Sequence, residues 1–282
     1  MRVDEHLQIA GRVLGKAGVR DPSREAASLM CFVLDRDRTF LIAHPEYELT
    51  AAEAAKLNGV IERRAAREPF QYITGKQEFF GREFLVGPGI LIPRPETELL
   101  VETAIHRCGG LPESRFCEVG VGSGCISVTL LCELPGSSGV GLEISADAIK
   151  TAKENAGRLG VSERLEIRRS DIFSALEDEV FDFIASNPPY ISAEQMTDLQ
   201  PEVVNYEPRE ALTDEEKGTS IIERIIAGAP GYLKRKGWLF LEIGQGQDAE
   251  VRKMFDPEQW NSVDVLPDLQ GIPRTIAAQL KA

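Results

Sequence analysis

Two short runs in this chain carry residue types suited to chemistry, and each follows a stretch of apolar residues. The first is Glu118-Val119-Gly120-Val121-Gly122-Ser123-Gly124, which leads into a helix-forming segment. Glycines at this spacing allow a tight turn and let backbone N–H groups come close to a ligand. Glu143 ends the next apolar stretch, about 20 residues on, where a carboxylate can accept hydrogen bonds from a ribose diol. The pair implies a ligand that contains a nucleoside. The second run is Asn187-Pro188-Pro189-Tyr190. Its prolines fix a kinked backbone that offers carbonyls without N–H donors of its own. The Asn187 side-chain oxygen and the Pro188 carbonyl can accept both hydrogens of one planar NH₂ group, with the Tyr190 ring on its face. The target is then an amide or an exocyclic amine.

Glu118 narrows the choice of nucleoside ligand. An anion two residues ahead of the first glycine is costly beside a pyrophosphate but favourable beside a sulfonium or an α-amino group. S-adenosylmethionine therefore fits better than a nicotinamide dinucleotide. Asp171-Ile172, after the third strand, adds a carboxylate that can accept from an adenine amino group and an apolar side chain to lie against the ring. With a methyl donor in place, the clamp acquires a purpose. An amide nitrogen is a poor nucleophile because its lone pair is delocalised. Acceptors outside the amide plane favour a nitrogen that is becoming tetrahedral and stabilise the charge developing on it. No strong general base is required.

The elements that must position these groups are legible as alternation. From residue 115 onward, strands are expected at 116–119, 139–142, 165–168, 181–186, 238–242, 262–266 and 275–280, with helices at 125–132, 146–159, 216–233 and 247–255. That is an α/β fold: a doubly wound, seven-stranded, mostly parallel sheet whose ligand sits beyond the carboxyl ends of the central strands. The first 70 residues read as a small helical bundle. Asp21-Pro22 is expected to cap 23–34, and Thr50-Ala51-Ala52-Glu53 is a capping box that opens a helix toward Arg67. Arg63, Arg64 and Arg67 read as a solvated helix face. Aromatic and β-favouring residues around Gly81 imply a hairpin over 75–86, and 96–106 is expected as a helix after Pro93-Arg94-Pro95. The expected domains are thus 1–74 (helical, substrate-recognising), 75–93 (hairpin and linker) and 94–282 (catalytic).

Composition sets the outer limits. The longest notable charge-free run, 119–132, has 14 residues against the roughly 20 that a bilayer requires. No secretory signal is visible. Five cysteines without a C-x-x-C pair and three scattered histidines argue against a disulfide framework, a metal site or a Ser-His-Asp triad. A reducing cytoplasm is the expected location. Residues 1–90 hold 13 basic and 13 acidic side chains, so the remainder, with 19 and 32, carries the whole net charge of −13. A phosphate backbone would on average be repelled by that half, and neither a nucleic-acid substrate nor a membrane partner is expected.

Beyond these runs the sequence resembles the class I S-adenosylmethionine-dependent methyltransferases and, more closely, the peptide chain release factor glutamine methyltransferases (the PrmC/HemK family). The resemblance extends over nearly the whole chain. It is carried by residues 69–75 (PFQYITG), 78–81 (EFFG), 91–98 (LIPRPETE), the glycine loop, Asn187–Tyr190 and Asn205-Tyr206-Glu207-Pro208. It implies a Rossmann-like methyltransferase domain and methyl transfer to N(5) of the glutamine in the Gly-Gly-Gln motif of class I release factors, which would be its protein partners. It also implies S-adenosylmethionine at Gly120, Val121, Gly122, Ser123, Gly124, Glu143, Ile172 and Asn187, beside Glu118 and Asp171, and the substrate at Asn187, Pro188, Pro189 and Tyr190. Catalysis falls to Asn187, Pro188 and Tyr190. Arg94 and Thr97 match a segment that closes over the methionine end. Glu stands at 118 and 143 where the family more often has Asp, and Val121 where a small hydroxylated residue is frequent. Asn-Pro-Pro-Tyr is shared with adenine-N(6) methyltransferases and resembles that of a ribosomal-protein glutamine methyltransferase, so nucleic-acid base and ribosomal protein are the alternative targets.

Overall fold

A computed structural model describes all residues, 1–282. The chain forms two compact units: Met1–Gly75 with Gln200–Tyr206, and Lys76–Leu199 with Glu207–Ala282.

The first unit is helical: α1 (Val3–Lys16), α2 (Pro22–Leu34), α3 (Arg38–Ala43), α4 (Ala51–Ala65) and α5 (Phe70–Thr74). Val3, Leu14, Leu29, Met30 and Leu57 are almost wholly buried and share one apolar core. The α4 capping box forms as expected: Glu53 N donates to Thr50 Oγ1 (3.2 Å) while Thr50 N donates to Glu53 Oε2 (2.8 Å). Two expectations need correcting here. Asp21 is the N-cap residue of α2 and Pro22 its first residue, as expected, but Asp21 makes no cap bond through its side chain, because its backbone is left-handed (φ 46°). Instead its carbonyl accepts from Arg24 N and Glu25 N at the helix start. Nor are the α4 arginines simply solvated. Arg64 is 5% exposed and is paired with Glu25 and Glu202. Arg67 binds Glu202 and the Ala17 and Gly18 carbonyls. Burial of a guanidinium requires such partners, and Glu202, from the distant segment 200–206, supplies one.

The second unit opens with the expected hairpin, β1 (Lys76–Phe79) and β2 (Arg82–Leu85), turning through Phe80 (φ 53°) and Gly81 (φ 69°). A 3₁₀ turn at Pro95–Thr97 leads into α6 (Glu98–Cys108). Then come β3 (Arg115–Val119), α7 (Cys125–Glu133), β4 (Ser138–Glu143), α8 (Ala146–Arg158), β5 (Leu165–Arg169) and β6 (Phe181–Ser186). After the short helix α9 (Pro201–Tyr206), which belongs to the first unit, follow α10 (Ser220–Gly228), β7 (Leu233–Glu242), α11 (Asp248–Arg252), β8 (Trp260–Pro267) and β9 (Pro273–Leu280). The seven strands form one sheet in the order β5-β4-β3-β6-β7-β9-β8, antiparallel only around β9. This is the expected doubly wound, Rossmann-like arrangement. The helix expected over 216–233 is shorter because the Asp214 carboxylate accepts from the backbone of Glu216, Gly218 and Ser220, holding that stretch as a turn until α10 begins.

Alternation along the central strands divides the core between the sheet's two faces. Phe116, Phe183 and Phe240 pack side by side on one face, the first pair stacked with centroids 5.1 Å apart and the second edge to face at 5.9 Å. Cys117, Ile184 and Leu239 fill the other. Each buried phenylalanine contributes about 1.5–3 kcal/mol. Gly139 is required beside them, since a Cβ there would stand 2.5 Å from the Phe116 ring. The chain reverses direction across the sheet between β3 and β6, so the loops after these two adjacent parallel strands open side by side.

Candidate active site

The loop after β3 is shaped by its glycines: Gly120, Gly122 and Gly124 have φ of 78°, 57° and 82°, which L side chains adopt only with strain. Gly120 N donates to the Leu142 carbonyl (2.8 Å). The Glu143 carboxylate closes the other side, accepting from Gly122 N (2.8 Å) and Ser145 N (2.9 Å). It is pinned at the end of β4 with lone pairs to spare for a diol. Val121 points into the core. It is buried and fills the space left by Gly141, where a Cβ would lie 2.6 Å from Val121 Cγ2. Asn155, fully buried on α8, donates to the Ser123 and Leu85 carbonyls and accepts from Leu85 N, tying the loop to the hairpin.

Glu118 lies wholly buried under the start of α7, where its Oε2 accepts from Ser127 N (2.9 Å) and from the Ser127 hydroxyl. Its Oε1 has no partner. Burial pushes this carboxyl up to about 8, against the pull of the Ser127 hydrogen bonds. A cation brought near it would favour ionisation.

Beside the loop opens a cavity of about 240 Å³, lined by Gly120, Gly122, Glu143, Ile172, Asn187 and Pro188 among others. Most of the wall is apolar: Leu142, Ile144, Ile172, Pro189 and Ile225 contribute. Asp171 stands at its rim, exposed and bonded to Arg224 (2.8 Å). The cavity thus brings together eight of the expected residues, Gly120, Gly122, Glu143, Asp171, Ile172 and Asn187–Pro189, from four strand ends, whereas Glu118, Val121, Ser123, Gly124 and Tyr190 are not part of its lining.

The Asn187 amide donates from Nδ2 to the buried Thr97 Oγ1 (3.1 Å). Its Oδ1 is left as an acceptor. Tyr190 packs against the core, and its phenol donates to Glu242 Oε1 at 3.0 Å. Burial, first of all, and the neighbouring Glu242 carboxyl keep that phenol protonated, well above its usual range. Gln247 Nε2 holds the Tyr190 carbonyl (2.8 Å), and its Oε1 takes Gly244 N. Burial pushes the Glu242 carboxyl up to about 7, opposed by the Thr97 and Tyr190 hydroxyls.

Sequence reasoning missed Asn155, Ser127, Gln247 and Glu242. Only Glu242 left a trace, as a carboxylate closing an apolar strand in the same manner as Glu118 and Glu143. The others are ordinary polar residues, Asn155 and Ser127 in helices and Gln247 just before α11, and only the packing reveals their bonds.

Residues 5–75 match the PrmC N-terminal domain and residues 95–214 the methyltransferase small domain. The chain is 39% identical over 280 residues, 99% of each protein, to the release factor glutamine methyltransferase of Koribacter versatilis. It is 40% identical over 282 residues, 100% of each protein, to that of Cereibacter sphaeroides. A crystal structure of a methyltransferase from Pyrococcus furiosus shares the fold (TM-score 0.53, 14% identity, 83% of this chain and 100% of that one). With full-length identity of this order added to the glycine loop and the Asn187 turn at adjacent strand ends, the chain belongs to the release factor glutamine methyltransferase family.

Proposed function

We propose that this enzyme transfers a methyl group from S-adenosylmethionine to N(5) of the glutamine in the Gly-Gly-Gln motif of class I release factors. The observation that carries the reading is the orientation of Asn187: its NH₂ is committed to Thr97, so Oδ1 remains to accept a hydrogen from another amide. That is the polarity a carboxamide substrate needs.

The residues around the cavity fit the methyl donor. Glu143 keeps acceptor capacity for ribose hydroxyls, the wall at Ile144, Ile172 and Ile225 suits an adenine, and the orphaned Oε1 of Glu118 suits the cationic methionine end. Gly120 and Gly122, free of side chains, allow close backbone approach. When bound, S-adenosylmethionine supplies an electrophilic methyl on a sulfonium.

Asn187 Oδ1 and the Pro188 carbonyl accept the two N–H groups of the substrate amide. These acceptors strengthen their hold as the nitrogen gains positive charge, which is stabilisation specific to the transition state. Fixing the nitrogen against the methyl replaces a bimolecular encounter, a gain on the order of 7–11 kcal/mol for well-oriented pairs. Tyr190, packed in the core with its phenol on Glu242, anchors the turn that carries both acceptors, and apolar walls keep water from competing. The proton leaves the nitrogen after transfer, once the methylated amide is strongly acidic, and no basic side chain is needed for it.

Incubation with labelled S-adenosylmethionine and purified release factor, with Gly-Gly-Gln intact or its Gln replaced, tests the reading. Label is expected only in the intact factor; equal labelling of both, or transfer to ribosomal protein or nucleic acid instead, would refute it.

A further inference from the structure

Behind Asn187 and Tyr190 lies a carboxylate with no part in the mechanism above. Glu242 ends β7, next to β6, and is 1% exposed. Its Oε1 accepts from the Tyr190 phenol (3.0 Å), while its Oε2 has no hydrogen-bond partner. Thr97, also 1% exposed, sits beside it and receives Nδ2 of Asn187 (3.1 Å). Four side chains from three segments distant in sequence thus meet in one buried chain of polar groups. An ionised carboxylate buried with one oxygen unpartnered is a poor choice for stability, and an apolar or amide side chain would serve the fold better.

We propose that Glu242 is a positioning residue for methyl transfer, orienting Asn187 through Thr97 and holding Tyr190 directly. The inference deepens the reading of the site given above and rests on it. An amide has two ends of nearly equal shape, and only the environment decides which one faces a ligand. A hydroxyl has one proton. An ionised carboxylate can only accept, so it draws the protons of both Thr97 and Tyr190 toward itself. Thr97 then meets Asn187 with a lone pair, which only the NH₂ end satisfies. Oδ1 is thereby turned to the cavity, as the substrate amide requires. A flipped Asn187 would present NH₂ to the substrate NH₂ and repel it. With Glu242 neutral, Thr97 can point its proton at Asn187 instead, and the preference is lost.

The charged and titratable groups around Glu242 are Tyr190 on the β6 loop, Cys125 at the start of α7, whose thiol burial keeps protonated, Arg274 at the start of β9 and Glu96 in the turn before α6. Arg94 acts on Tyr190 from the same turn. Arg274 favours the ionised carboxyl and Glu96 opposes it.

The test compares Glu242→Gln, Thr97→Val and Thr97→Ser in the full-length enzyme with release factor as substrate. Gln keeps the size of Glu242 but presents an NH₂ to one of the two hydroxyls. Both Glu242→Gln and Thr97→Val are expected to lower kcat at least tenfold, with the calorimetric Kd for S-adenosylhomocysteine within twofold of wild type and no loss of thermal stability. Thr97→Ser, which restores the hydroxyl, should recover most of the loss. Wild-type kcat should fall as pH drops below about 7, where Glu242 takes up a proton, and Glu242→Gln should lack that limb. Wild-type kcat in Glu242→Gln, or a pH limb unchanged in it, would overturn the proposal. So would a loss matched by weaker cofactor binding or lower melting temperature, which marks a merely structural role. Wild-type transfer measured alongside separates the two readings: its absence defeats the assigned substrate, whereas only the ratio of variant to wild type bears on Glu242.

Discussion

Glu207 accepts from Arg94 Nη2 at 2.5 Å, joining positions 113 residues apart. The same carboxylate takes the backbone N–H of Ile92 (3.1 Å) and is 1% exposed in its side chain. It thereby ties Ile92 and Arg94 to the turn at Glu207-Pro208, and Leu91 and Pro208 beside them both line the cavity. Glu207→Ala should leave a buried N–H without a partner and a guanidinium without its counter-charge. A loss of about 1–3 kcal/mol in denaturant unfolding is expected, together with weaker ligand binding; unchanged values of both would refute this role.

Asn187→Ala removes the acceptor while leaving Thr97 its carboxylate neighbour. Cofactor affinity by calorimetry should change little, and turnover should drop by several orders of magnitude because the substrate amide loses its orientation. Near-normal turnover would defeat the clamp.

Glu143→Ala acts on the other half of the site. It strips Gly122 N and Ser145 N of their acceptor and removes the partner assigned to the ribose. S-adenosylmethionine affinity should fall by about 1–3 kcal/mol, the scale for hydrogen bonds to a charged group. An unaltered Kd would reject the ribose assignment.

Val121 and Gly141 form a size-matched pair. Gly141→Ala places a methyl 2.6 Å from Val121 Cγ2, so it should destabilise the protein by about 1–3 kcal/mol, the usual cost of overpacking. Adding Val121→Ala should relieve much of that cost. A double-mutant cycle with purely additive terms would show that the two side chains do not compete for one space.

Much of this was legible in the residues alone because the signals are local. Alternating apolar strands and helical stretches point to a doubly wound sheet, whereas the order of its seven strands, with antiparallel β9 between β7 and β8, is a matter of the tertiary structure. The glycine loop, Glu143 and the Asn187 turn were visible for the same reason: each is defined by residue types within a few positions, placed after a strand. The hairpin at Phe80-Gly81 and the Thr50–Glu53 box are local in the same sense.

What escaped were relationships between distant positions that depend on which polar group lacks a partner once water is excluded. The solvated face expected for Arg64 and Arg67 became a buried ion cluster only because Glu202, over 130 residues away, folds onto it. Val121, read as part of a ligand loop, proved to be a core side chain because Gly141 sits opposite. Composition and pattern therefore determined the class of fold and the two turns, at Gly120–Gly124 and Asn187–Tyr190, that meet at adjacent strand ends. The direction in which Asn187 points, the tie between Arg94 and Glu207, and the place of Glu242 were decided by tertiary packing. Hydrogen-bond satisfaction in a buried site is a property of neighbours in space, and the linear chain does not record it.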